Sequence, residues 1–219
     1  MIPGPDEIRA CPRCGCLVKQ ETLSSGNSFG GVFWTDGCAE CPMLPDYPVV
    51  VKCRDCGTYF WLREAKLKAK IDTYRGQWGP GWANPAKWEH VPYAEQLPAQ
   101  DLSAAIQQGL GSDVDKERYR RIHLWWCANS PHRYGTTPPP DNVVSPELFA
   151  ANAAALEALL DKSEPSQCLQ LAELARETGR FPECLALLDE LPEEYARAAG
   201  QLRQLALAGD RLVRQYTRD

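Results

Sequence analysis

No apolar run in this chain approaches the ~20 residues that a membrane helix requires, so a membrane-spanning role is set aside. The opening residues, Met1-Ile2-Pro3-Gly4-Pro5-Asp6-Glu7, lack the basic and apolar pattern of a secretory signal, which makes the cytoplasm the expected compartment. A basic excess is missing too. The 24 Lys and Arg face 29 Asp and Glu, for a formal charge of −5. Residues 1–90 hold 11 basic against 10 acidic side chains, and residues 91–219 hold 13 against 19. Phosphate binding rests on Lys and Arg gathered on one face, so nucleic acid is disfavoured as a partner. Histidine is scarce: His90, His123 and His132 have no ligand spacing among themselves. There is no G-x-S-x-G, phosphate loop, H-E-x-x-H or dinucleotide fingerprint, and the chain leans away from catalysis. Asp36 beside Trp34, and Asn27 in a Ser/Gly stretch, read most simply as turn residues.

Cysteine, by contrast, is plentiful, with ten residues in two populations. Cys127, Cys168 and Cys184 are scattered along apolar helical stretches, where a free thiol packs as a small core residue. The other seven fall within residues 1–56. In a reducing compartment such clustering points to metal or redox chemistry before disulfides. Two pairs share one pattern: Cys11-Pro12-Arg13-Cys14-Gly15 and Cys53-Arg54-Asp55-Cys56-Gly57, with 38 residues between Cys14 and Cys53. Two residues between thiolates let one tight turn aim both sulfurs at a single ion, and the following glycine can take positive φ at no steric cost. Four thiolates in a tetrahedron suit Zn²⁺, which imposes no geometry of its own.

On these residues the chain resembles the zinc ribbons, over about residues 9–62. The resemblance implies Cys11, Cys14, Cys53 and Cys56 as the metal ligands, at the ends of two β-hairpins. Leu17–Leu23 and Gly31–Thr35 read as strands around a polar turn at Ser24–Ser28, Val49–Lys52 runs into the second knuckle, and Thr58–Trp61 leaves it. The spacer is long for a minimal ribbon, so an irregular insertion is expected at 36–48, which carries Pro42, Pro45 and Pro48. Rubredoxins use the same paired knuckles around iron. The Tyr-Asp expected after the first rubredoxin knuckle is replaced here by Leu17-Val18, which favours zinc over iron. Thiol–disulfide exchange would need a C-x-x-C that follows a strand and opens a helix. Cys11 has no evident strand before it, and Gly57-Thr58-Tyr59 is no helix start. A third pair, Cys38 and Cys41, lacks the glycine. With Cys16 it offers three thiolates, which His90 could complete to a second site, or it is simply a pair of loop thiols.

From Arg63 to Tyr74 the run of Glu, Ala, Lys and Leu predicts a helix. Residues 76–98 then break regularity with repeated Gly and Pro but carry Trp78, Trp82, Trp88 and Tyr93. That is too much apolar area for a free linker, so the arm either docks within the chain or serves a partner. Helices dominate beyond it. One is expected around Leu102–Ile106, ended by Gly109 and Gly111. A second spans Val114–Asn129, capped by Ser112 or Asp113 and stopped at Pro131, with Trp125 and Trp126 as core anchors. Ser145-Pro146-Glu147 starts a third. Three more follow: about 166–178 closed by Gly179, then helices opened by Pro182 and by Pro192. The expected fold class is α+β, a small antiparallel β zinc ribbon followed by an α-helical hairpin array, divided as 1–75, a connecting arm at 76–112, and 113–219.

Gly179-Arg180-Phe181-Pro182-Glu183-Cys184 resembles the corner between the two helices of a tetratricopeptide repeat. The likeness covers one degenerate copy, about 166–191, with no second copy in the chain. The Cys11–Gly15 knuckle, Ser25–Gly30, Trp34–Gly37, the Cys53–Gly57 knuckle, Trp125-Trp126 and the Gly179–Phe181 corner together are similar to a group of bacterial proteins without an established activity. The function expected is a zinc-binding interaction or scaffold protein with a protein partner. The alternatives are an iron- or thiol-based redox protein and, further off, a nucleic-acid-associated factor.

Overall fold

Among the described residues, nine short strands and six α-helices make an α+β fold. The structure is a computed structural model that describes residues 1–71, 84–111 and 113–217. The chain divides into two units: Met1–Gly31 with Glu40–Leu97, and Val32–Ala39 with Pro98–Asp219.

The first unit is built from small antiparallel sheets. β1 (Ile2–Pro3) pairs with β4 (Leu23–Ser25), a three-stranded sheet has the order β3 (Leu17–Gln20), β2 (Asp6–Ala10), β9 (Lys66–Ile71), and β7 (Val50–Lys52) pairs with β8 (Tyr59–Trp61). β5 (Val32–Phe33), which belongs to the second unit, pairs with β6 (Ala39–Glu40). Leu17–Leu23 and Gly31–Thr35 are therefore not the two arms of one hairpin, because each finds a different partner. The helix expected from Arg63 to Tyr74 is also replaced, over its described part, by β9. Lys66, Lys68 and Lys70 alternate with Leu67, Ala69 and Ile71, a period of two that suits a strand paired along β2. Helix propensity lost to this pairing. Ile8 and Ile71 are fully buried, and Val91 and Trp88 pack with them.

The described part of the aromatic arm lies on this sheet. Lys19 N–H donates to Pro92 O at 2.8 Å and Ala94 N–H donates back to Lys19 O at 2.7 Å, a parallel bridge centred on Tyr93. The Tyr93 hydroxyl lies 2.9 Å from Asp6 Oδ2. Docking within the chain is thus the state of Trp88 and Tyr93; Trp78 and Trp82 lie outside the described residues.

In the second unit α1 (Ala99–Gln107), α2 (Val114–Tyr134), α3 (Pro146–Glu157), α4 (Pro165–Glu177), α5 (Phe181–Leu188) and α6 (Ala196–Leu207) pack in succession. Local chemistry sets their ends. Asp113 Oδ1 accepts from Lys116 N–H at 2.8 Å, and Ser145 Oγ accepts from Leu148 N–H at 3.2 Å. The Ser112 cap lies outside the described residues. Pro131 does not stop α2. It removes one backbone donor, but Arg133 donates to Trp126 O at 2.8 Å, and the helix closes at Gly135 with φ +61°. Cys168, Ala172, Ala175, Cys184, Leu187, Ala199 and Leu202 form the core of α4, α5 and α6, while Trp125, Ala153, Leu156 and Leu174 join α2, α3 and α4. Trp125 is a core anchor, as expected, and His123 is packed between Tyr119 and Trp126, its burial lowering its pKa to about 4.

The second unit also buries charge. Asp36 sits in an Asx turn, its Oδ1 accepting from Cys38 N–H at 3.1 Å, but its other oxygen is sealed against Arg133 and accepts from Asn129 Nδ2 at 2.9 Å. Asn129 also donates to Glu177 Oε1 at 2.9 Å, and Trp125 Nε1 donates to Glu177 Oε2 at 2.7 Å. Arg176 holds Glu173 with two bonds of 2.6 Å, both side chains fully buried. Burial, with the Glu173 and Asp36 carboxylates nearby, pushes the Glu177 carboxyl well above its usual 4.5, against the Trp125 hydrogen bond and Arg176. Above pH 4.5 the folded unit therefore keeps a proton that the unfolded chain has lost. This contribution to stability is complete below that pH and declines as pH rises through the raised folded value. Glu177→Gln should flatten the decline, at a cost of about 1–3 kcal/mol because one amide N–H₂ must face a donor. Melting temperatures of both proteins across the range from about pH 5 to 9 test this, and an unchanged slope contradicts it.

Candidate metal centre

The two C-x-x-C-G segments occupy equivalent places, each at the tip of a hairpin. β2 leads into Cys11 and β3 leaves the knuckle, with Ala10 opposite Leu17; β7 leads into Cys53 and β8 leaves, with Lys52 opposite Tyr59. A strand does precede Cys11, contrary to the sequence reading. Asp6, Glu7 and Arg9 hid it, since only Ile8 and Ala10 among its five residues are apolar.

The turns close with matching bonds. Cys11 N–H donates to Cys16 O at 2.8 Å, and Cys53 N–H to Thr58 O at 2.8 Å. Gly15 N–H donates to Cys11 O at 3.0 Å, and Gly57 N–H to Cys53 O at 2.9 Å. Gly15 and Gly57 have φ of +79° and +70°, and a Cβ built on either would meet nothing within 4 Å. The glycines are required by backbone conformation and not by crowding.

The hairpin tips bring four sulfurs into one cluster, all within 4.8 Å of one another. Cys11 Sγ lies 3.7 Å from Cys56 Sγ, and Cys14 Sγ lies 3.5 Å from Cys53 Sγ. All four are free thiols, since a disulfide needs sulfurs about 2.05 Å apart. Sulfurs at ~2.3 Å from a shared central ion in a tetrahedron stand about 3.8 Å from each other. The cluster fits that spacing. Cys11 and Cys53 are buried with Val51, Phe60, Leu62 and Ala65, whereas Cys14 is exposed.

Electrostatics favour a cation at this point. The Thr58 hydroxyl and backbone N–H beside Cys56 hold its thiol down to about 6. Cys14 is pushed up to about 12: the Cys16 backbone N–H favours its thiolate, but burial and the Cys53, Cys56 and Cys11 sulfurs outweigh that. Thiols so close cannot all ionise on their own, and a divalent ion removes the conflict.

The remaining thiols are not members of this cluster. Cys16 flanks the same small core, where burial, Asp55 and the neighbouring Cys53 push it up to about 11. Cys38 falls in the second unit and Cys41 in the first. Among the described residues, none of the three belongs to a second metal-sized group. Cys41 is buried although it sits on the proline-rich stretch; of the three helical thiols Cys168 and Cys184 are buried as expected, whereas Cys127 is only partly buried. A further feature that sequence reasoning missed lies in the second unit. Asp36 is fully buried there instead of forming only a turn, and its partners stand more than 90 residues away, beyond any local signal.

Among the described residues no helix is long and apolar enough to cross a membrane. Set beside known proteins, the chain matches no family model, no curated protein and no solved structure, so the four-cysteine cluster stands on its own geometry.

Proposed function

We propose that this protein binds one Zn²⁺ through Cys11, Cys14, Cys53 and Cys56, that the ion holds the first unit together as a zinc ribbon, and that the protein serves as an interaction or scaffold protein. The observation that carries the metal reading is the gathering of four thiols, at near-tetrahedral spacing, by two hairpins of like construction. Four protein ligands complete the shell of zinc, leaving no position for substrate water, which argues for a structural ion over a catalytic one. Where a two-stranded sheet is as short as β7–β8, with three residues to a strand, such an ion supplies folding energy that the hairpin alone cannot.

The interaction role is supported by the helical unit. The α4–α5 corner is similar to one tetratricopeptide hairpin: Gly179 takes φ +82°, Phe181 packs on the core, and the small, fully buried Cys184 lets the helices approach. Such units commonly present surfaces to other proteins. Elemental analysis of the purified protein, with its visible spectrum, tests the metal. One zinc per chain and no colour are expected. Iron with visible absorption would favour the rubredoxin-like alternative, and a stable metal-free protein would remove the metal reading.

A further inference from the structure

Beyond α6 the described residues form no helix, yet residues 210–217 are gripped along their main chain. Arg176, fixed by Glu173, donates to the carbonyl of Asp210 and, at 2.9 Å, to that of Leu212. Thr35 takes Arg214 from both sides: its N–H donates to Arg214 O at 2.8 Å, and its Oγ1 accepts from Arg214 N–H at 3.0 Å. Tyr216 N–H donates to Phe33 O at 2.8 Å, beside an antiparallel bridge between Trp34 and Gln215. From the other side Gln201 of α6 donates to Gln215 O at 2.8 Å and accepts from Thr217 N–H at 3.1 Å, while Arg197 donates to Thr217 O.

Contacts of this kind read an extended conformation and not a sequence, as in strand-addition recognition of peptides. Two side chains add anchors. Val213 is fully buried and fits. Tyr216 fits badly. It lines a cavity of about 500 Å³ together with Phe33, Trp34, Leu169, Tyr195 and Ala198, and its hydroxyl is buried with no hydrogen-bond partner. Unfilled apolar space and an unsatisfied hydroxyl both weaken the hold of this segment. Gly209, with φ +69°, ends α6 just before it, so the segment can leave without disturbing the helix.

The geometry points to a peptide-binding groove in the helical unit, formed by residues 33–35, Arg176 and α6, that takes an extended segment of a partner protein with a large aromatic side chain at the Tyr216 register, in competition with this chain's own residues 210–217. The inference rests on the interaction-protein reading and names its surface. The backbone clamps supply affinity for any extended chain. The aromatic-lined cavity supplies the preference, because a ring larger than tyrosine buries more apolar area there.

The probe is a fluorescein-labelled peptide with the sequence of residues 208–217, tryptophan replacing tyrosine at the Tyr216 register. It is titrated into the full chain carrying Tyr216→Ala, whose own segment has lost an anchor. Saturable binding is expected. Binding to the wild-type chain should be about tenfold weaker, because the native segment competes. Adding Gln201→Ala to the Tyr216→Ala chain should weaken binding about tenfold by removing two main-chain bonds. Circular dichroism melts establish that each variant is folded. Should Tyr216→Ala not fold, amide exchange at Arg214 and Tyr216 of the wild-type chain replaces the titration, and excess peptide should accelerate both. No saturable binding to folded Tyr216→Ala overturns the groove, as does unchanged exchange in that replacement or binding that ignores Gln201→Ala. A protein partner held equally by the wild-type chain and by Gln201→Ala also overturns it, while leaving the scaffold role standing.

Discussion

Cys53→Ser should strip the metal from the protein and unfold the first unit while the helical unit keeps its own cooperative transition. Cys53 is buried within the small core of that unit, and its sulfur lies 3.5 Å from Cys14. A serine hydroxyl is a poor zinc ligand, and three remaining thiolates leave the shell open. Structural zinc carries an apparent binding free energy of roughly 10–16 kcal/mol, larger than the whole stability of an ordinary small domain. The hairpins β2–β3 and β7–β8 contribute strands of only five, four, three and three residues, too little to hold their register alone. The check is metal content by elemental analysis with far-ultraviolet circular dichroism on heating. A variant that retains stoichiometric zinc and the β signal would show that Cys53 is not a ligand.

Asp36→Ala should destabilise the helical unit by about 3–5 kcal/mol, because it leaves the Arg133 guanidinium buried without its counter-charge. The two side chains are 0% and 2% exposed, and Arg133 Nε is already buried with no hydrogen-bond partner. Asn129 would lose one of its two acceptors as well. For a unit of this size the loss corresponds to a fall in melting temperature of about 10–20 °C. Replacing both partners, with Asp36→Ala and Arg133→Met, should recover much of it, since a buried pair exchanged for apolar groups costs far less than a broken one. Thermal melts of the two single variants and the double variant decide the matter. Additive losses would mean that the pair is not coupled.

How much of this was legible in the sequence depends on how far each determinant reaches. The knuckles are local: two residues between sulfurs and a glycine at positive φ are visible in five letters. The helix starts read at Pro146 and Pro182 and the stop at Gly179 are local too, because proline and glycine act on their own backbone. β9 was misread because Lys, Ala and Leu favour a helix, whereas the decision was taken by β2, some 60 residues earlier in the chain. β2 was overlooked for the complementary reason: its charged residues pair across the sheet, Glu7 with Lys70 at 3.1 Å, and so can share a strand with one buried isoleucine. Nothing near Asp36 announces Arg133, Asn129 or the chain around Arg214. A buried ion pair is a long-range fact, and one sequence holds only half of it at a time.

The passage of Val32–Ala39 into the second unit also governs how the chain can be divided and in what order it can fold. Those eight residues are encoded between the two knuckles, yet everything that holds them, from Asn129 and Arg133 to Arg214 and Tyr216, is synthesised after residue 98. On a ribosome the paired hairpins can bring their four cysteines together while residues 32–39 still wait as an open loop, and the helical unit is finished only when that loop is captured. Cleavage at the boundary between Leu97 and Pro98 would therefore not yield two autonomous pieces. The first piece would carry a loop bearing Asp36 and Trp34 with no core to enter, and the second would hold Arg133 and a strand partner with nothing to bind. Adding a peptide that spans residues 31–40 should restore the second piece, making the protein a natural subject for fragment complementation.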